Sequence, residues 1–342
     1  MLSRTADHLF WMARYMERAE NAARVLDVTH RMALLPDDGE GAETHLWYAP
    51  LNIVGCAEAY LQRHFLVEKN AVTRFVSVDT NNSSSIYTSL TAARENARAV
   101  RGAITSEMWE SINATWLELN RLVTAPDETC ETCFFDWVKE RSHLFRGVTL
   151  GTMLKDDALS FIRLGTFFER ADNTARILDV KYHLLLPEGQ PVLQLVDYYQ
   201  WGALLKSVSG FEAYRKVYRD VITPTKVAEL LVLRADMPRS LHACLNEIAL
   251  ELNNIDGNAQ RESHRRAGAL HAMLHYDRVE DIFARGLHGY LLDFLEKHDR
   301  LGEAVRQDYL ARRDALVADM APLRETDLRE SSHGQTESVQ LQ

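Results

Sequence analysis

Apolar residues recur along most of this chain every three to four positions, the spacing that lays them on one face of an α-helix. The periodicity predicts helices over residues 6–34, 46–68, 84–101, 106–124, 134–144, 157–185, 192–209, 225–233, 239–253, 258–275, 279–298 and 301–320. Thr223-Pro224 is a start signal, a capping hydroxyl with proline at the first helical position. Asn81-Asn82-Ser83-Ser84-Ser85 is a second cap cluster. Pro36-Asp37-Asp38-Gly39, Pro187-Glu188-Gly189 and Asn253-Asn254-Ile255-Asp256-Gly257 punctuate the pattern. Val76-Ser77-Val78 has extended character but is too short to imply a sheet. From about Arg324 the periodicity vanishes, and 322–342 read as a flexible polar tail. The predicted class is all-α.

The pattern also repeats. Residues 9–28, LFWMARYMERAENAARVLDV, and 161–180, FIRLGTFFERADNTARILDV, are identical at nine of twenty positions. A weaker echo sets Asn82-Ser83-Ser84-Ser85-Ile86 against Met237-Pro238-Arg239-Ser240-Leu241 at a similar offset. Two offsets that agree imply a tandem duplication. The expected architecture is a duplicated helical bundle with pseudo-twofold halves, 1–156 and 157–321, sharing one core.

A helical wheel divides each copy of the repeated helix. Met12, Tyr15, Met16, Ala19, Ala23 and Leu26 form an apolar face, matched by Leu164, Phe167, Phe168, Ala171, Ala175 and Leu178. The opposite stripe carries Glu17, Asn21 and Arg24, repeated as Glu169, Asn173 and Arg176, with Arg18 and Arg170 beside the acids. Apolar Phe10, Val28, Ile162 and Val180 end the stripe, so it is expected to be at least half buried. Glu20–Arg24 and Asp172–Arg176 are i, i+4 pairs in the favoured orientation. Glu169 has no cation among its own helical neighbours. If buried, it needs a partner from another helix, a ligand, or protonation. Ala13 and Gly165, one turn before each glutamate, would let another backbone approach closely.

Composition changes the picture little. Of 39 basic residues 31 are Arg, the cation suited to buried forked pairs with carboxylates. A net charge of −10 disfavours nucleic acid and anionic membranes as partners. No apolar stretch approaches transmembrane length and the N-terminus has no secretory pattern, so a cytoplasmic protein is expected. Four cysteines do not make a disulfide framework.

Three further groupings carry candidate chemistry. Ser84 and Ser85, with Arg239 and Ser240 at the echoed helix start, could hold an anion, although simple capping explains them. Arg94, Arg98 and Arg101 follow as a solvated basic face. Cys130-Glu131-Thr132-Cys133 is a lone CxxC in an acidic stretch, short of a zinc site and read as incidental. His264, His271 and His275 share a helix face, but none of them has a glutamate three residues before it to make a Glu-x-x-His. That argues against a ferritin-like di-metal bundle, and the set is read as surface or core histidines. No nucleotide loop or nucleophile elbow is present, and neither metal nor cofactor is assigned.

Leu2-Ser3-Arg4-Thr5-Ala6-Asp7, Glu17-Arg18-Ala19-Glu20-Asn21 and Asn82-Ser83-Ser84-Ser85-Ile86 resemble segments of the bacterial alpha-E family, named for an α-helical domain with a Glu-Arg motif. So do Ala93-Arg94-Glu95-Asn96-Ala97-Arg98, Ser106-Glu107-Met108-Trp109, Phe161-Ile162-Arg163-Leu164-Gly165, Glu169-Arg170-Ala171-Asp172 and Asp236-Met237-Pro238-Arg239-Ser240, in the family's order over about 1–320. Asn82-Ser83 departs from the family's usual Asn-Pro. The resemblance implies partnership with a circularly permuted ATP-grasp ligase and a transglutaminase-like protease, in peptide synthesis or modification through amide bonds. This chain has no ligase segment, so the ligase would be a separate polypeptide. Two functions are then expected as alternatives: an accessory component binding a peptide or that ligase between the halves, or an enzyme with Glu17 or Glu169 as general base. A plain scaffold is the third.

Overall fold

In the computed structural model, residues 1–34, 42–124, 130–184 and 195–310 are described. They contain fifteen α-helices and no strand. In the first part of the chain these are α1 (Ser3–Met32), α2 (Ala42–Val54), α3 (Ala57–Leu61), α4 (Lys69–Ser77), α5 (Ile86–Ala99), α6 (Ser106–Thr124) and α7 (Glu131–Thr152). There follow α8 (Asp157–Leu184), α9 (Leu195–Ser207), α10 (Phe211–Tyr218), α11 (Pro224–Ala228), α12 (Leu241–Ile255), α13 (Glu262–Tyr276), α14 (Val279–Arg285) and α15 (Leu287–Val305).

The two longest helices, α1 with 30 residues and α8 with 28, carry the repeated segments and pack against each other. At 1.5 Å per residue each is over about 40 Å long. Around α1, α5 and α7 pack directly, and α6 lies across α5 and α7. Around α8, α12 and α15 pack directly, and α13 lies across α12 and α15. Both long helices are therefore enclosed on several sides. Their expected apolar faces are buried, except that Tyr15 and Phe167 are partly covered at the edge of the same continuous core. The polar stripe is buried too: Glu17, Glu20, Asn21, Glu169, Arg170 and Asn173 are all in the interior.

Close contact between α1 and α8 depends on Gly165. A Cβ there would lie 2.2 Å from the Phe10 carbonyl oxygen and 3.2 Å from the Ala13 Cβ. Only a residue without a side chain fits that crossing.

Several boundaries differ from those predicted by periodicity. The helix expected over 46–68 breaks at Gly55, where φ is +73°, and resumes as α3. The helix expected over 279–298 is interrupted at Gly286, φ +91°. A glycine with positive φ ends a helix without disturbing the apolar spacing on either side. Val76-Ser77-Val78 is not extended, because Val76 and Ser77 close α4 and Val78 is its C-cap. The segment expected over 225–233 is one α-turn followed by a π-helical turn, Glu229–Leu233. The expected helix 301–320 falls partly outside the described residues, as do Pro36–Gly39, Pro187–Gly189 and the tail 322–342.

The reading of the CxxC as incidental is corrected as well. Cys130 and Cys133 form a disulfide at the start of α7, with Cα atoms 5.2 Å apart. Cys56 and Cys244 are buried free thiols, pushed up by burial to about 11 and about 12.

Candidate functional site

The polar stripe of α1 faces that of α8, and the two Glu-Arg pairs exchange partners. Glu17 on α1 accepts from Arg170 Nε on α8 at 2.9 Å and from its Nη2 at 3.1 Å. Glu169 on α8 accepts from Arg18 Nε on α1 at 2.6 Å and from its Nη2 at 3.0 Å. Both contacts are forked guanidinium–carboxylate pairs, the geometry in which two parallel N–H···O bonds fix orientation as well as charge. The arginines that make them also lie over aromatic rings in the same manner, Arg18 over Tyr15 and Arg170 over Phe167.

More arginines complete each side. Arg14 donates to Glu169 at 2.8 Å, so this carboxylate sits between two α1 guanidinium groups. Glu17 also accepts from Arg146 of α7 at 3.0 Å and from Arg239 at 2.9 Å. Glu20 receives Arg239 at 2.7 Å, Arg24 at 2.8 Å and the Ser142 hydroxyl at 2.6 Å, and is bonded to Arg146. Asn21 accepts from Arg239 at 3.2 Å. Arg176 forks onto Asp172, as the i, i+4 spacing predicts.

These contacts decide the protonation states. Burial pushes the Glu17 carboxyl up, but Arg170 and Arg239 outweigh it and hold the group below the usual carboxylate range. Burial acts in the same way on Glu20, and Arg239, His143, Arg146 and Arg24 bring it well below that range. Glu169 is opposed by burial and lowered by Arg14 and Arg18 to about 2. All three are therefore anions at neutral pH with their oxygens occupied. A general base needs a lone pair directed at substrate. Neither Glu17, 2% exposed, nor Glu169, 6% exposed, presents one.

Among the other residues singled out in the sequence, Ser85 and Ser240 are N-caps, accepting from the Thr88 and Ala243 amides. Ser84 is half-buried, and its amide donates to Asn82 Oδ1. Arg239 is committed to Glu17 and Glu20 rather than to an anion at a helix start. Asn173 is buried. Arg94 departs from the solvated face expected of it: it lies 4.2 Å over the Trp116 ring and donates to Asn113. His264 is separate from its expected partners and bonds Tyr309 at 3.1 Å. His271 and His275 instead meet His242 of α12.

Periodicity identified both acids and their repeated arginines but missed Arg14, Arg146 and the trio's third histidine. Those residues come from other turns or other helices, where no local spacing marks them. Beyond the ionic layer, Val25, Val28, Thr29, Ile177, Val180 and Leu204 line a small apolar recess of about 60 Å³. Among the described residues no helix is long and apolar enough to cross a membrane.

A family model named Alpha-E, described as a predicted alpha-helical domain with a conserved ER motif, matches residues 1–310. Similar proteins include uncharacterised proteins of Mycobacterium bovis and of two strains of Mycobacterium tuberculosis. Each is 23% identical over 348 aligned positions covering 95% of this chain. The chain spans only 38% of the length of these relatives. No solved structure matches.

Proposed function

The chain belongs to the Alpha-E family, and on that premise we propose that it is an accessory or binding component of a bacterial system for peptide synthesis or modification, acting with an ATP-grasp ligase and a transglutaminase-like protein. The observation that carries the proposal is the enclosure of Glu17 and Glu169 by guanidinium groups of other helices. An Alpha-E chain whose motif acids are tied up in this way offers binding surface and rigidity rather than a proton acceptor. In this reading the two helical units are copies, and the exchanged Glu-Arg pairs are the clamp that sets their relative position. The apolar recess beside the clamp has walls from both copies and suits one small aliphatic side chain of a peptide.

The expectation that Glu17 or Glu169 acts as a general base has no support in this geometry. The accessory role is tested by mixing the purified chain with an ATP-grasp ligase and a transglutaminase-like protein from the same source. Complex formation is read by light scattering and amide-bond formation by mass spectrometry of product. Association with either protein, or ligation that depends on this chain, is the expected result. No association and unchanged ligation would overturn the proposal.

A further inference from the structure

Away from the ionic clamp, α12 and α13 bring three imidazoles together. His271 and His275 stand four residues apart on α13, hence one above the other on the same face. His242, in the first turn of α12, faces both, with ring centroids 5.4 Å and 5.5 Å away. The His271 and His275 rings are stacked at 5.8 Å. One donor nitrogen from each residue lies within 4.8 Å of the other two.

Two of the three are held in fixed tautomers. His242 Nδ1 is 2.8 Å from the Leu233 carbonyl oxygen, which can only accept. The proton is therefore on Nδ1, and Nε2 carries the free lone pair. His271 Nε2 is 2.6 Å from Asn246 Oδ1, which places its proton on Nε2 and its lone pair on Nδ1. Donation of the remote ring N–H to a protein oxygen is the outer contact that orients histidine ligands in metal sites. His242 is 6% exposed, His271 half-buried and His275 exposed, so the group opens to solvent on one side.

We propose that His242, His271 and His275 form a mononuclear site for a zinc-class divalent cation, with the fourth coordination position open to water. Three imidazole nitrogens with no carboxylate in the cluster suit Zn²⁺, Ni²⁺ or Cu²⁺ and not Ca²⁺ or Mg²⁺. Nitrogens around tetrahedral zinc lie about 3.3 Å apart, given Zn–N bonds of about 2.0 Å. Rotation of the exposed His275 side chain, which is on the open side, brings the donors inward. The positive end of α12 beside His242 acts against the cation, weakening it roughly two- to fivefold. Three inner-sphere bonds are far stronger than that.

The test uses the full, untagged chain stripped of metal and titrated with Zn²⁺ in competition with a chromogenic chelator. One equivalent is expected to bind. His275→Ala should weaken it at least tenfold and His271→Asn/His275→Ala should abolish it, with the metal-free far-UV spectrum and melting temperature unchanged. Asn246→Ala, which frees His271 from its orienting contact, should weaken binding about 10–100-fold. Cobalt in place of zinc should give the visible absorption of a four-coordinate ion in the parent chain and lose it in the double variant. Failure of the parent chain to take up zinc at about 100 µM, or equal uptake by the double variant, would overturn the proposal.

Discussion

Gly165→Ala should destabilise this protein although alanine is the better helix former. In an exposed helix interior the exchange stabilises by about 0.5–1 kcal/mol. At Gly165 the new methyl would stand 2.2 Å from the Phe10 carbonyl oxygen, whereas ordinary contact begins near 3.4 Å. The obstacle is backbone, so no rotamer relieves it, and α1 and α8 must separate by about 1.2 Å at the crossing, the difference of those two distances. Overpacking of this kind costs about 1–3 kcal/mol. The same separation, carried one turn along, stretches the Arg18–Glu169 and Arg170–Glu17 pairs from 2.6 Å and 2.9 Å towards the limit of hydrogen bonding. A net loss of about 1–2 kcal/mol is expected once the propensity gain is subtracted and the weakened ion pairs are added. Equilibrium urea unfolding measures it, with an unchanged m-value as the sign that the native state keeps its compactness. Gly147→Ala is the matched control, since a Cβ there meets nothing within 4 Å, and it should gain the ordinary increment. Stability of Gly165→Ala equal to or above the parent would refute the close-approach account.

Three more outcomes can be measured. Glu17→Gln removes the charge facing Arg146, Arg170 and Arg239 and should cost about 3–5 kcal/mol by the same urea assay, because buried cations lose their compensation; a loss under about 1 kcal/mol would contradict the buried clamp. Glu169 is held at about 2 in the folded chain against 4.5 as its ordinary value, so its contribution is complete above about pH 4.5 and is lost as pH falls towards 2. Acid unfolding should accordingly be shallower through that window in Glu169→Gln than in the parent, and parallel curves would count against the Arg14–Glu169–Arg18 contact. Gly286→Ala forces a side chain into φ +91° between α14 and α15 and should lower the melting temperature, an outcome that calorimetry decides.

What this sequence determined by itself is local and periodic. A spacing of three to four places apolar residues on one helix face whatever surrounds them, so the all-α class and segments such as 106–124 and 157–185 were legible with nearly correct limits. The repeated Glu-Arg pairs were legible too, and with no cation three or four residues from Glu169 on its helix, that acid, once buried, needed a partner from another helix, a ligand or protonation. Which partner was a tertiary matter. Arg18 and Glu169 are 151 residues apart and Arg239 and Glu17 are 222 apart, and no periodicity reaches across such distances. The breaks at Gly55 and Gly286 were equally hidden, because helix ends are decided by backbone angles while the apolar rhythm runs on. His271 and His275 could be paired from their spacing, but His242 joins them only because α12 packs on α13. Burial completes the division: the same glutamate on a solvated helix would be an ordinary surface charge, and enclosure by guanidinium groups turns it into part of the framework.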